Sequence, residues 1–449
     1  MFNNCASARP TPPRGTTLNW LTTLRIDQRP FLIGVDVVVA ALALYLVIRP
    51  TARRTLAGLI AVVGGAALGW LVTWLVGDVF DIFGVELTAA TGLWVAIGAA
   101  GVALAAVNLV RSRWWRKVVA VVSIPVVLIA VGAGINVDFG AYRTLKDALG
   151  IVPYTALQLH GEHGQVAAIG TDYASTWTKP ATIPVKGRIG MVRIPATRSG
   201  FDARLAAIYL PPAALTASPP VLPVLYAFAG QPGTPADVFT AGRIGSLMDA
   251  YAAKHDGFAP IVVAPDQLGG PGRNPMCVDS AALGHSATYL LKDVPDWIRA
   301  HFRVSSDPAA WGVFGYSQGG TCAVQFASGH PELFGSALAS SSELGPRLGD
   351  RASTVARGFS GSLRAYQAAQ PAALMSAHEP YRRTLIVFGV GQNDRKYMAY
   401  AHTLEAQAVR AGISTRLLVS PGTAHDWNTV RYTLAHGFPL IAAHLGLSR

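Results

Sequence analysis

The chain has 449 residues, of which 51% are hydrophobic and only 14% are charged, and its formal net charge at pH 7 is +12. Soluble proteins carry about 25% charged residues, so the composition argues against a wholly cytosolic globular protein. The apolar content also excludes an intrinsically disordered one. The three cysteines, Cys5, Cys277 and Cys322, are too few for a disulfide-framed small domain or a four-thiolate metal site. No basic block or nucleic-acid-binding motif organises the positive charge, so the sequence does not point to a nucleic-acid partner.

Four apolar segments in the first third of the chain predict helices that cross a lipid bilayer. These segments are 31–48, 55–77, 87–110 and 118–137. Their only charged residue is Asp36, which lies near one end of its segment and is interpreted as an interfacial side chain. Each segment has about the 20 residues that a helix needs to cross roughly 30 Å of hydrocarbon. We therefore predict an N-terminal segment at 1–30 and an all-α transmembrane domain of four helices at 31–137.

The loops between these segments differ in charge, which predicts their orientation. The first and last loops contain seven basic residues: Arg49, Arg53, Arg54, Arg111, Arg113, Arg116 and Lys117. The middle loop, 78–86, is acidic and contains no Lys or Arg. The positive-inside rule assigns the basic loops to the cytoplasm. The N-terminal segment and everything after Val137 are then expected outside the plasma membrane, although four arginines of the N-terminal segment oppose this assignment.

After Asp138 the composition is that of a globular domain. Residues 138–184 are interpreted as a linker, in which His160 and His163 lack the further ligands of a metal site. From residue 185 to 449, apolar strands alternate with helices. The predicted strands are 188–194, 203–210, 221–228, 260–264, 310–314, 334–340, 384–389 and 415–419, and the main helices are 319–328, 397–411 and one from Trp427. This alternation predicts a mostly parallel sheet with helices on both faces, whose sites lie beyond the carboxyl ends of the strands.

One motif dominates this second half. Gly315-Tyr316-Ser317-Gln318-Gly319 follows a predicted strand and opens a predicted helix, which is the strand–turn–helix context of a G-x-S-x-G nucleophile elbow. Side chains at the two glycines would collide with the neighbouring strand and helix. The helix N-terminus favours negative charge that develops beside the serine. Ser317 is therefore the candidate nucleophile.

A serine hydroxyl is a poor nucleophile until a base removes its proton, so a histidine and an orienting acid must follow. Their chain order is Ser, acid, His in this class of fold. Among the histidines after Ser317, only His425 directly follows a predicted strand. Asp394 follows another strand end and is the first candidate for the acid, with Glu405 as the alternative. Asp426 adjoins the base and cannot easily turn back onto the far ring nitrogen.

An oxyanion hole needs two N–H donors near the nucleophile. The amide of Gln318, immediately after the nucleophile, is the first candidate. The second is expected in the loop after the strand at 221–228, at Gly230 or Gln231. Pro232 has no N–H and cannot serve.

Residues from about 185 to 445 resemble the esterase-D-type α/β-hydrolases, a group that includes S-formylglutathione hydrolases and actinobacterial mycolyltransferases. The resemblance is carried by the elbow and by four further blocks: 260–266 (PIVVAPD), 293–298 (DVPDWI), 330–334 (HPELF) and 424–427 (AHDW). It implies an α/β-hydrolase fold and a Ser–acid–His acyl-transfer enzyme with the roles assigned above. Ala229 is a departure, because many relatives carry a histidine there. The four apolar helices are similar to those of membrane-tethered esterases of actinobacteria.

Cys277 and Cys322 both lie in the outer domain. In an oxidising compartment they are candidates for a disulfide, and two buried free thiols are the alternative. The motifs imply no cofactor and no metal.

Three functions are compatible with these observations. The first is a serine esterase that acts on a lipid or cell-envelope ester at the outer membrane surface. The second is an acyltransferase of mycolyltransferase type, in which a sugar hydroxyl instead of water intercepts the acyl-enzyme. The third is a membrane assembly component with an inactive hydrolase domain, which the intact Ser317, Asp394 and His425 disfavour.

Overall fold

Four long helices form the first part of the structure, a computed structural model that describes residues 19–158 and 177–447. Cys5, most of the N-terminal segment and the pair His160 and His163 lie outside the described residues. The long helices are α1 (Arg29–Val47), α2 (Ala52–Trp74), α3 (Ala89–Leu109) and α4 (Trp114–Phe139). A π-helical turn, Leu75–Val79, extends α2. By length and composition, all four are able to cross a membrane.

Helices α2 and α3 pack closely because two glycines of α2 face the backbone of α3. A Cβ atom on Gly65 would lie 2.7 Å from the carbonyl oxygen of Ala99, and one on Gly69 would lie 2.8 Å from that of Val95. Both distances are too short for a real side chain. Small residues at such positions let two apolar helices approach each other, so these glycines allow the close contact between α2 and α3.

The rest of the chain folds around one eight-stranded sheet. Its strands are β1 (Arg188–Val192), β2 (Ala206–Leu210), β3 (Val224–Phe228), β4 (Ile261–Ala264), β5 (Trp311–Tyr316), β6 (Ser336–Ser340), β7 (Leu385–Gly391) and β8 (Ser414–Ser420). Their spatial order is β1-β2-β4-β3-β5-β6-β7-β8. β3 to β8 run parallel, and β1 and β2 pair antiparallel at one edge. The strand ends differ from the predicted ones by up to three residues.

Helices cover both faces of this sheet. They are α5 (Ile244–Lys254), α6 (Val294–His301), α7 (Gln318–Gly329), α8 (Arg351–Gly358), α9 (Leu363–Ala368), α10 (Pro371–His378), α11 (Arg395–Arg410) and α12 (Trp427–His444). Helices α7, α10 and α11 pack on one face, and α5 and α12 on the other. Strands buried on both faces explain the continuous apolar runs of β3, β4 and β5. The predicted α/β-hydrolase fold, preceded by four apolar helices, is confirmed.

Two groups of contacts join the helical bundle to the sheet domain. Lys396 Nζ lies 2.7 Å from Asp81 Oδ2, which attaches the acidic loop 80–88 to the start of α11. Asn428 Nδ2 donates a 2.9 Å hydrogen bond to the carbonyl oxygen of Asp138, and Arg431 donates one of 2.8 Å to that of Gly140. Helices α11 and α12 begin at the carboxyl ends of β7 and β8. The bundle therefore lies over the edge of the sheet where a site is expected.

Candidate active site

The turn between β5 and α7 holds Ser317 in a strained conformation. Its backbone has φ 56° and ψ −120°, a combination that costs a non-glycine residue free energy and is characteristic of functional sites. The flanking glycines allow this turn. A Cβ on Gly315 would overlap the carbonyl group of Gly319, and one on Gly319 would lie 2.5 Å from the carbonyl oxygen of Ala229. The sharp turn presents the serine hydroxyl at the N-terminus of α7.

Three of the predicted side chains form one hydrogen-bonded chain. His425 Nε2 lies 2.9 Å from Ser317 Oγ, and His425 Nδ1 lies 3.0 Å from Asp394 Oδ2. Asp394 retains 1% of its surface exposed and His425 retains 7%. The rings of Tyr316 and Tyr397 flank the imidazole, with centroid separations of 5.2 and 4.2 Å. This packing fixes the ring between the hydroxyl and the carboxylate.

Asp394 contacts both the histidine and α11, since its Oδ1 accepts a 3.3 Å hydrogen bond from the amide of Tyr397 at the start of that helix. The two other carboxylates considered for the acid, Asp426 and Glu405, contact other groups. Asp426 caps α12 and accepts hydrogen bonds of 2.8 and 2.7 Å from the amides of Thr429 and Ala424. Glu405 contacts Thr415 on β8, at 3.5 Å. The geometry thus brings Asp394, and neither Asp426 nor Glu405, to the histidine.

The candidate oxyanion donors lie on the expected side of Ser317. Gln318 is the first residue of α7, so no helical carbonyl is available to its N–H. The backbone of Gly230 passes directly beside the nucleophile, because a Cβ there would lie 3.4 Å from Ser317 Cβ. Gln231 lines the same cavity as Ser317. These positions are compatible with either Gly230 or Gln231 as the second donor.

Sequence reasoning missed the side chains that hold this loop. Asp266 is fully buried after β4, and Arg204 binds it with two hydrogen bonds, of 2.9 and 2.8 Å. Arg204 also donates to the carbonyl oxygen of Gly233 at 2.9 Å, and Gln267 donates to that of Ala229 at 2.7 Å. In the sequence, the block 260–266 is only one of the features that carry the family resemblance. Its position at the carboxyl end of β4 is the signal that could have indicated a positioning role.

A disulfide connects the loop after β4 with α7, the helix that follows Ser317. It joins Cys277 to Cys322, whose Cα atoms are 5.7 Å apart. The side-chain amide of Gln318 lies 3.2 Å from the Cys322 sulfur. The bond therefore restrains α7 one turn after Ser317.

Ser317 and His425 open into a cavity of about 1080 Å³ that is also lined by the helical bundle and by loop 80–88. Its polar wall includes Glu343, whose carboxylate lies 4.0 Å from Arg347. Burial raises the pKa of Glu343 to about 7, although the charges of Arg347 and Lys396 lower it. Within residues 19–158 and 177–447, no cluster of His, Cys, Asp or Glu is arranged to hold a metal ion.

Comparisons with known proteins point to one family. A family model described as "Putative esterase" matches residues 202–439. An uncharacterised protein of Corynebacterium glutamicum is 32% identical over 443 residues, which cover 95% of this chain and 99% of the relative. Two similar solved structures are an S-formylglutathione hydrolase from Agrobacterium tumefaciens and a ferulic acid esterase. Each is 18% identical to this chain, with a TM-score of 0.48. The match to the S-formylglutathione hydrolase covers 59% of this chain and 99% of the hydrolase. The match to the ferulic acid esterase covers 58% of this chain and 98% of the esterase. The chain belongs to the esterase family of α/β-hydrolases.

Proposed function

We propose that the protein is a membrane-anchored serine esterase that hydrolyses an acyl ester of a lipid or another cell-envelope molecule. The observation that carries this proposal is the hydrogen-bonded chain from Ser317 through His425 to Asp394, with distances of 2.9 and 3.0 Å. Those distances are within the range that a nucleophile and its general base require.

In the proposed acylation step, Ser317 Oγ attacks the ester carbonyl carbon while its proton passes to His425 Nε2. The new Oγ–C bond produces a tetrahedral oxyanion. The ester C–O bond then breaks, and His425 returns the proton to the departing oxygen, which leaves as the alcohol. In deacylation a water molecule gives a proton to His425 and its oxygen to the acyl carbon. The C–Oγ bond breaks, Ser317 regains its proton, and the carboxylic acid leaves.

The other site residues have supporting roles in this proposal. Asp394 accepts the Nδ1–H of His425, which selects the tautomer with a free Nε2 and stabilises the imidazolium that forms. The amides of Gln318 and of Gly230 or Gln231 donate hydrogen bonds to the oxyanion. Removal of one such donor typically costs a factor of 10² to 10³ in turnover. Arg204 and Asp266 act as positioning residues because they hold the loop that carries the second donor.

The location at a membrane is inferred from the bundle. Four helices are long and apolar enough to span a bilayer, and an ordinary soluble protein does not expose so many large apolar side chains. The two basic loops contact each other through Arg49, which donates a 2.7 Å hydrogen bond to Ser112. The sheet domain contacts the opposite, acidic end of the bundle through Lys396. Together with the positive-inside rule, this arrangement supports a catalytic domain outside the cytoplasm.

Substitution of Ser317 tests the proposal. The full-length protein is expected to hydrolyse p-nitrophenyl acetate, and Ser317→Ala is expected to lose at least three orders of magnitude of turnover while it still folds. Asp394→Asn should lose about 10³ to 10⁴, because the wrong histidine tautomer is favoured. Glu405→Gln is the matched control and should retain its activity. Full activity of Ser317→Ala would refute the proposal, and collapse of Glu405→Gln alone would transfer the acid role to Glu405.

A further inference from the structure

The cavity beside Ser317 continues from the sheet domain into the helical bundle. Its lining includes Val72 of α2 and Val95 of α3. Val95 lies six residues inside the start of α3 at Ala89, which at 1.5 Å per residue is about 9 Å along the helix axis. Val72 lies seven residues before the end of the π-helical turn at Val79, or about 10 Å. The cavity therefore extends about 9 to 10 Å along the helices, measured from the end of the bundle that contacts the sheet domain.

That depth corresponds to hydrocarbon when the bundle spans a bilayer. Helix α3 has 21 residues, so its length of about 31 Å equals the thickness of the hydrocarbon core. A point about 9 Å inside such a helix lies among the acyl chains of the outer leaflet. The side chains of Val72 and Val95 are aliphatic at this depth. Ile135, which lies four residues before the end of α4 at Phe139, adds an aliphatic side chain at about 6 Å.

Loop 80–88 supplies the side of the cavity nearest the membrane surface. Ile82 and Phe83 line the cavity, yet they remain 64% and 61% exposed. Large apolar side chains exposed together mark a surface that binds lipid, ligand or protein. Loop 80–88 joins the ends of α2 and α3, so these two side chains lie near the level where lipid chains meet headgroups when the bundle spans a bilayer.

The sheet domain contributes polar side chains to the lining of this cavity. They include Asn274, Glu343 and Arg347. Ser317 lines the same cavity as these polar side chains and as the aliphatic side chains of the bundle. A ligand that satisfies both groups of side chains has a long apolar part and a polar part, joined near the atom that Ser317 attacks.

We infer that the membrane helices form the acyl-binding subsite of the enzyme. The substrate class is a membrane amphiphile with a long acyl chain on an ester. The chain lies against Val72 and Val95, the ester carbonyl lies at Ser317, and the alcohol portion lies toward Glu343 and Arg347. The cavity volume of about 1080 Å³ is slightly above the range for small-molecule sites, about 300 to 1,000 Å³. This inference rests on the proposed hydrolysis by Ser317 and adds that the bundle is part of the active site.

Acyl-chain selectivity is the property that this subsite should control. Each buried methylene contributes a factor of about four in binding, from its transfer free energy. We expect kcat/KM of the detergent-solubilised full-length protein to be at least tenfold higher for p-nitrophenyl octanoate than for the acetate. Both esters are measured below their aggregation limits and at one detergent concentration. In Val72→Trp, the indole ring fills part of the cavity that the smaller valine side chain leaves open. The ratio of kcat/KM for the octanoate to that for the acetate should therefore fall at least tenfold.

Val63→Trp is the matched control, because Val63 is another exposed valine of α2, 69% exposed, that lies outside the cavity. Its ratio should equal that of the wild type. Ile82→Asp is a second test, and it leaves the helices intact because residue 82 lies in loop 80–88. A charge at this position in the cavity lining should lower the same ratio. An unchanged ratio in both cavity variants, with Ser317-dependent hydrolysis intact, would overturn the inference alone. Absence of Ser317-dependent hydrolysis of either ester in the wild type would instead overturn the proposed function.

Discussion

Among single residues, Glu343 combines a buried carboxyl group with a place in the cavity that contains Ser317. Its side chain is 15% exposed, and burial raises its pKa from 4.5 to about 7 in the folded protein. Between these two values the folded state holds a proton that the unfolded state has released. The stability that this group contributes is therefore complete below pH 4.5 and is lost as the pH rises toward 7.

We predict that Glu343→Gln removes this pH dependence, because the amide stays neutral. The full shift corresponds to roughly 3 kcal/mol, or about 5 to 10 °C in the melting temperature of a domain of this size. Between pH 5 and pH 8, the apparent melting temperature of the wild type should fall by about 5 to 10 °C more than the melting temperature of Glu343→Gln. Glu405→Gln serves as the control, and equal slopes for the wild type and Glu343→Gln would contradict the prediction.

The candidate triad could be predicted from the sequence because its geometric demands leave a readable pattern. The elbow admits only glycine at 315 and 319, and chain order restricts the acid and the base to the segments after Ser317. Arg204 and Asp266 left no comparable pattern. Their pairing joins residues 62 positions apart, and nothing local in either segment specifies the partner.

At the scale of elements, α7 is held at its start and one turn later. The strained turn at Ser317 immediately precedes its first residue, Gln318, and the disulfide between Cys277 and Cys322 ties it to the loop after β4. The bond closes a separation of 45 residues. In the chain-entropy account, a loop of that length contributes about 4 kcal/mol by restricting the unfolded chain, although measured values are typically 2 to 4.

We predict that the double variant Cys277→Ala/Cys322→Ala has a melting temperature on the order of 10 °C lower than that of the wild type. Dithiothreitol should lower the melting temperature of the wild type by a similar amount and leave that of the double variant unchanged. Cys5→Ala is the matched control and should keep the sensitivity to dithiothreitol. Insensitivity of the wild type, with free thiols detected at both positions, would show that the bond does not form.

The strands of the sheet and the long helices were predictable, and the short helices after β6 were not. The strands of the sheet and the four apolar helices have strong periodicity or length, so their positions agree with the structure to within a few residues. Helices α8, α9 and α10 follow β6 in a segment rich in small and polar residues, where tertiary contacts decide the structure and no pattern marks it. The predicted start of β6 at residue 334 differs from its start at Ser336 in the structure because of a local turn. The amide of Phe334 donates a hydrogen bond to the carbonyl oxygen of His330 instead of joining the strand.

For the molecule as a whole, the arrangement of bundle and sheet domain has the largest functional consequence. The sequence separately indicates a membrane domain and a catalytic domain. The shared cavity depends on how the two pack, through Asp81 with Lys396 and Asp138 with Asn428. These contacts join residues about 300 positions apart, which no single-sequence pattern specifies. The contribution of the helical bundle to the cavity that contains Ser317 therefore follows from the packing and not from the sequence.

The distribution of charge along the chain predicts the orientation of the whole molecule in the membrane. Seven Lys or Arg residues lie in the first and last loops and none in residues 78–86. The sheet domain contacts the acidic end of the bundle. Both observations favour a catalytic domain outside the cytoplasm. In a bacterial host, alkaline phosphatase fused after the C-terminus should therefore be active, and β-galactosidase fused there should be inactive.

A matched pair of fusions truncated after Ser112, in the last basic loop, should give the reverse pattern. An active β-galactosidase at the C-terminus would invert the orientation. It would also place Cys277 and Cys322 in a reducing compartment, where structural disulfides are rare. The orientation and the sensitivity of the melting temperature to dithiothreitol must therefore agree. An outward catalytic domain is the arrangement in which both the disulfide and an outer-leaflet substrate are accommodated.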